Sequence, residues 1–178
     1  MRKFILPIIL SATLTLAVIT MMSIPVSVDS GNQVIVCCAW NEKLADGKLT
    51  YNVSGGNAEI QRVMIAVIKD WDDKLVDLEL EPFTLKGKNS KADITVKFKK
   101  GGGMIAGQAI RNFDKSTAYV KSVQINVSGQ AFDNDNPVEI IYQVTKHEFG
   151  HALGANHANF SGDLMSTSVG ADALDISA

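Results

Sequence analysis

The stretch HEFGHALGANH, from His147 to His157, constrains this chain more than any other part of its sequence. It contains all three histidines of the 178 residues, with Glu148 and Gly154 between them. On a helix, His147 and His151 project from one face on successive turns, because four residues make slightly more than one turn. Two imidazoles at this spacing can bind one metal ion. Glu148 lies beside that face and can reach a water on the metal without being a ligand.

A third ligand cannot approach the same ion from the helix itself, so the chain must leave the helix and turn back. Gly154 permits this turn, since glycine accepts the left-handed backbone that ends helices. His157 then arrives from the returning chain. Three neutral imidazoles leave the fourth position of tetrahedral zinc open to water, which is typical of a catalytic site. We therefore predict one catalytic Zn²⁺ bound by His147, His151 and His157, with Glu148 as general base.

Chance is the competing explanation for this pattern. At average residue usage, a random chain of this length would carry the five fixed residues with a probability of about 10⁻⁵. The pattern also falls on a predicted helix that ends at the glycine, as its geometry demands.

The other segments predict an α/β (α+β) layered domain. Amphipathic periodicity indicates one helix beginning after Asn57 as its N-cap, and a buried helix follows Asn136 and Pro137. Alternating or β-branched residues indicate strands over residues 33–40, 48–55, 91–98, 106–113 and 118–127. This order favours two main helices that cover one mixed, mostly parallel twisted sheet.

The N-terminal region predicts export. Arg2 and Lys3 precede 25 uncharged residues, Phe4 to Val28. We interpret residues 1–30 as a signal peptide or an N-terminal membrane anchor, with a possible tether through residues 4–28. Residues 31–178 would then form a catalytic domain outside the cytoplasm, either secreted or held on the outer face of the membrane.

Charge argues against a nucleic-acid partner. The formal net charge is −2, and the only basic cluster is the short run Lys97–Lys100. A nucleic-acid partner would require a concentrated basic surface.

The two cysteines, Cys37 and Cys38, are adjacent. Adjacent cysteines rarely bridge each other, because the ring they close is small and strained. We expect buried thiols in a strand, and an intermolecular disulfide stays open as an alternative.

The eleven residues match the extended zinc signature of the metzincin clan, H-E-x-x-H-x-x-G-x-x-H, and Met165 follows at the distance of that clan's methionine turn. Within the clan the chain resembles the matrixins over residues 49–169. HEFGHALG, the strand Leu49–Tyr51, a helix ending near Trp71 and the strand Ala92–Ile94 carry this resemblance.

The resemblance implies a zincin-like metallopeptidase fold with an active-site helix and a Met-turn. Met165 would pack under the zinc ligands as a hydrophobic floor. Residues 106–113 would form the antiparallel edge strand on which a protein or peptide substrate lies as an added strand. With all three histidines committed, the second, structural zinc of many matrixins has no histidine left. The acidic run Asp133–Asn136 could hold calcium, although shaping the loop is its simpler role.

Three functions fit these residues. The favoured one is a zinc-dependent endopeptidase that hydrolyses peptide bonds. An alternative is a surface-tethered, zinc-containing binding module without physiological proteolysis, and another is hydrolysis of a non-peptide amide. Glu148 favours hydrolysis, because zinc binding alone needs no carboxylate at that position.

Overall fold

A computed structural model describes residues 34–43, 46, 49–77, 83–85, 90–100, 105–129 and 137–167. Within these ranges the elements follow in the order β1 (Val34–Val36), β2 (Thr50–Ser54), α1 (Ala58–Asp77), β3 (Thr84–Leu85), β4 (Ile94–Lys99), β5 (Gly107–Phe113), β6 (Val120–Ser128), α2 (Pro137–Leu153) and β7 (Ala155–Ala158).

The predicted leader, the acidic run 133–136 and the tail after residue 167 lie outside the described residues. Among the helices that are described, none is long and apolar enough to cross a membrane.

The larger sheet has the strand order β3-β2-β4-β6-β5. β2 runs parallel to β3 and β4, and β4 runs parallel to β6, whereas β5 is antiparallel to β6 at the edge. Alternation explains β4, where Ile94 and Val96 are fully buried, Thr95 between them is only partly buried, and Lys97 after Val96 is exposed. The prediction of a mixed, mostly parallel sheet with an antiparallel edge strand is confirmed.

Helix α1 begins as the sequence predicts and ends later. The side chain of Asn57 accepts a hydrogen bond of 2.9 Å from the backbone N–H of Ile60, which is the expected N-cap. The expectation of a helix ending near Trp71 is wrong, because α1 continues to Asp77. Leu75, one turn beyond Trp71, is buried, and burying it favours the longer helix.

Helix α1 holds α2 just before the histidines. The indole N–H of Trp71 donates to the carbonyl oxygen of Lys146 at 3.2 Å. The ammonium of Lys146 lies 2.9 Å from Asp70, whose carboxylate also accepts from the Tyr142 hydroxyl at 2.7 Å. Lys146 is buried, so removing Asp70 would leave a buried charge without its acidic partner. These contacts fix the position of α2 relative to α1.

The first strand does not join the larger sheet. β1 pairs antiparallel with β7, a strand that the sequence did not predict. Beyond β1, the backbone N–H of Cys37 donates to the carbonyl oxygen of Gly154 at 2.9 Å. The segment thus covers the turn that follows α2.

The expectation of buried thiols in a strand is also wrong. The structure joins Cys37 and Cys38 by a disulfide just beyond β1, and Cys37 is exposed. The backbone of this segment packs on the Gly154 turn, and Cys38 is partly buried against the core.

Asp93 joins the beginnings of β2 and β4. Its carboxylate accepts hydrogen bonds from the Thr50 backbone N–H at 3.0 Å and hydroxyl at 2.8 Å, and it lies 2.7 Å from the Lys43 ammonium. Partial burial alone would raise the pKa of Asp93, but the bonds from Lys43 and Thr50 outweigh burial and lower it below its ordinary value.

We predict that Asp93→Asn lowers the free energy of unfolding at pH 7 by about 1–3 kcal/mol, because it removes a charged acceptor. Since the folded pKa is lowered, this stabilisation is complete above the unfolded pKa of about 3.9 and is lost as pH falls through the folded pKa. Urea unfolding of wild type and variant as a function of pH measures both effects.

The control is Asp73→Asn, because Asp73 forms an exposed pair with Lys69. That change should cost less than about 1 kcal/mol. Equal losses in the two variants at pH 7 would contradict the role assigned to Asp93.

Candidate metal centre

The structure brings the three predicted histidines together. His147 and His151 lie on α2, and β7 carries His157. Gly154 lies between the two elements with a φ of 110°, a backbone conformation that favours glycine. One ligand atom from each histidine lies within 4.8 Å of the others. Helix, glycine turn and returning strand therefore form the arrangement that the spacing predicted.

Backbone carbonyls orient two of the rings. His147 Nδ1 lies 2.6 Å from the Leu164 carbonyl oxygen, and His151 Nδ1 lies 2.8 Å from that of Ala155. A carbonyl oxygen can only accept, so each Nδ1 carries the proton and donates it. In a neutral imidazole the other nitrogen then holds a lone pair. Both rings consequently offer Nε2 as a metal ligand.

The separation of two of the histidine nitrogens matches that of two ligands of one zinc ion. His151 Nε2 and His157 Nε2 are 3.2 Å apart. Two nitrogen ligands of tetrahedral zinc, each about 2.0–2.1 Å from the ion, lie about 3.3 Å apart.

The protonation state of the two buried rings also suits metal binding. Burial lowers the pKa of His147, and it lowers the pKa of His151 to about 4. Both rings are therefore neutral at pH 7, the state that metal binding requires. His157 is exposed, so the centre reaches the surface on its side.

Glu148 lies against the edge strand. Its side chain is buried, and the backbone N–H of Ala109 in β5 donates to its carboxylate. Burial raises the pKa of Glu148 to about 7, although the Ala109 hydrogen bond and the charge of Arg111 act in the opposite direction. A Cβ at position 107 would lie 2.6 Å from Glu148 Oε1, so only glycine at Gly107 lets β5 approach this closely.

Met165 lies beneath α2, as expected for the Met-turn. It is fully buried, and a Cβ at Gly150 of the helix would lie 2.5 Å from its sulfur. Its carbonyl oxygen accepts from the Ala158 N–H at 2.7 Å, and its N–H donates to the Asp163 carboxylate at 2.6 Å. The turn is thus bonded to the end of β7 and places the Leu164 carbonyl on His147.

Sequence reasoning missed several residues that support the site. They are Gly107, Ala109, Arg111, Gly150, Ala155, Asp163 and Leu164. Ala109, Ala155 and Leu164 act through backbone groups, which no side-chain pattern can reveal. Gly107 and Arg111 lie on the predicted edge strand, and only their alternation with exposed residues could have indicated that they face α2.

We predict that Gly154→Ala weakens zinc binding about tenfold or more, because a Cβ there would overlap the Cys38 carbonyl oxygen and displace the chain that carries His157. The matched control is Gly162→Ala, since Gly162 also has positive φ but has nothing within 4 Å of its Cβ position. It should cost about 1–2 kcal/mol of stability and leave zinc affinity unchanged. Competition with a chelator and urea unfolding measure the two quantities, and equal zinc affinity in both variants would contradict the prediction.

Solved structures similar to this chain include two of myroilysin, each with 18% sequence identity and a TM-score of 0.43. The similar region covers 67% of this chain and 44% of one myroilysin chain, and 72% of this chain and 53% of the other. The chain thus spans about half the length of the myroilysin chains that it matches. No curated protein sequence matches it.

The sequence model of one family, described as Matrixin, matches residues 39–176. This range covers more than three quarters of the 178 residues and includes every residue of the histidine cluster. The chain therefore belongs to the matrixin family.

Proposed function

We propose that this matrixin is a zinc-dependent endopeptidase, with one zinc ion held by His147, His151 and His157. One observation carries this proposal: three histidine ligand atoms lie within 4.8 Å of one another, and Glu148 lies between two of those histidines on the same helix. A site that only stored or bound zinc would need no buried carboxylate beside it.

Glu148 is the general base in this proposal. When bound, zinc would lower the pKa of a water molecule and polarise the substrate carbonyl. Glu148 takes the proton as the water attacks and passes it to the leaving amine. The Ala109 N–H holds the carboxylate in place, and packing of α2 on β5 keeps its side chain from bulk water.

The unpaired edge of strand β5 favours the hypothesis of a peptide substrate over that of a small amide. It pairs with β6 on one side, and no other strand within the described ranges pairs with it on the other. An extended peptide can add to such an edge through backbone hydrogen bonds. Because Gly107 and Ala109 of β5 touch Glu148, a peptide bound there would pass close to the base.

The proposed compartment is outside the cytoplasm. The basic and apolar N-terminal sequence supports export, and a disulfide between Cys37 and Cys38 fits an oxidising environment.

We predict that Glu148→Gln still binds zinc but loses hydrolysis by a factor of about 10²–10⁴, because the amide keeps the size of the side chain and cannot accept the proton. The measurement is cleavage of a peptide library by the zinc-loaded domain, together with zinc affinity by chelator competition. Wild-type cleavage should stop when the chelator is added and return with zinc.

Glu139→Gln is the matched control, since Glu139 lies on the same helix and bonds Gln143 instead of the centre. It should cleave like wild type. If Glu148→Gln cleaved as well as Glu139→Gln, Glu148 would not be the base. If wild type bound zinc and cleaved no peptide, the binding-module alternative would take the place of the endopeptidase.

A further inference from the structure

Arg111 reaches from the edge strand to the end of the active-site helix. It lies on β5, and its Nε–H donates to the carbonyl oxygen of His151 at 2.8 Å. One Nη2–H donates to the carbonyl oxygen of Ala155 at 3.0 Å. Both acceptors belong to backbone where α2 ends, and one of them is the backbone of a histidine in the metal centre.

The Ala155 carbonyl connects Arg111 to the ring of His151. The same oxygen accepts from Arg111 and from His151 Nδ1, which lies 2.8 Å away. That carbonyl fixes which nitrogen of His151 carries the proton and which way the ring faces. Arg111 therefore holds the acceptor that orients the ring, and it also holds the ring's own backbone.

The two bonds also span the turn between two metal-site histidines. Gly154 lies between the two acceptors, and His157 follows Ala155 by two residues in β7. A planar guanidinium can bridge two carbonyls at a fixed separation, whereas an ammonium is a single charged point on a flexible stem. An arginine thus sets the distance between the end of α2 and the beginning of β7.

We propose that Arg111 is a positioning residue of the metal centre, which holds His151 and the Gly154 turn in the geometry that binds the ion. It has this role only if His151 is a ligand, as proposed above. The competing explanation is that Arg111 merely satisfies carbonyls at a helix end, which would affect folding stability and leave metal binding unchanged.

The test compares Arg111→Met and Arg111→Lys with wild type in the full chain. Zinc affinity is measured by competition with a chelator, and the ligand geometry is read from the visible absorption of the Co²⁺-substituted protein. We expect Arg111→Met to bind zinc about 10- to 100-fold more weakly, with an altered Co²⁺ spectrum. Arg111→Lys keeps the charge but loses the planar guanidinium that donates to two carbonyl oxygens. Its zinc affinity should therefore fall between those of Arg111→Met and wild type.

Arg62→Met is the matched control. Arg62 also donates to a backbone carbonyl, that of Ala58, but does so on the exposed face of α1. Its variant should bind zinc and give the Co²⁺ spectrum of wild type.

Wild-type zinc affinity and an unchanged Co²⁺ spectrum in Arg111→Lys would overturn the proposal, even if Arg111→Met failed to fold. The same result in a folded Arg111→Met would also overturn it. If instead the proposed proteolysis were wrong, wild type would bind zinc and cleave no peptide. The Arg111 variants would still bind zinc more weakly than wild type, so the two failures can be told apart.

Discussion

Two hydrogen bonds from imidazole to backbone carbonyl define this site. Leu164 and Ala155 each accept from the Nδ1 of a histidine, and this acceptor fixes the tautomer of the ring. Neither carbonyl belongs to α2, although both rings do. The orientation of the two rings therefore depends on two turns, the Met-turn and the chain after Gly154, which pack against the helix. Four-residue spacing of two histidines on a helix is therefore necessary for this cluster but does not suffice to form it.

The rest of the domain brings these turns to the helix. Helix α1 supports α2 from one side through Trp71 and Asp70. The sheet supports α2 through β5, whose Gly107, Ala109 and Arg111 contact successive parts of the helix. The pairing of β1 with β7 restrains the returning chain from outside. The centre is thus held on several sides by elements far apart in sequence.

The histidine cluster and the fold class could be predicted because their signals are local or periodic. His147, His151, Gly154 and His157 follow from helix geometry, and the strands and helices follow from alternation and amphipathicity. The continuation of α1 beyond Trp71 could not be predicted, because it depends on burial of Leu75 in the assembled core. The bridges made by Arg111 and the pairing of the short strand β7 depend on which segments meet in space. Their partners are distant, and no spacing in the sequence encodes them.

The edge strand separates two kinds of position by simple alternation. Gly107, Ala109 and Arg111 face the helix, whereas the residues between them, Gln108, Ile110 and Asn112, are exposed. Substitutions in the second group should leave the contacts between β5 and α2 intact. Gly107 and Arg111 offer no such freedom, since a Cβ at position 107 would overlap Glu148 and the Arg111 side chain binds two carbonyl oxygens, whereas Ala109 acts through its backbone N–H. One short strand thereby alternates exposed residues with residues that support the neighbouring helix.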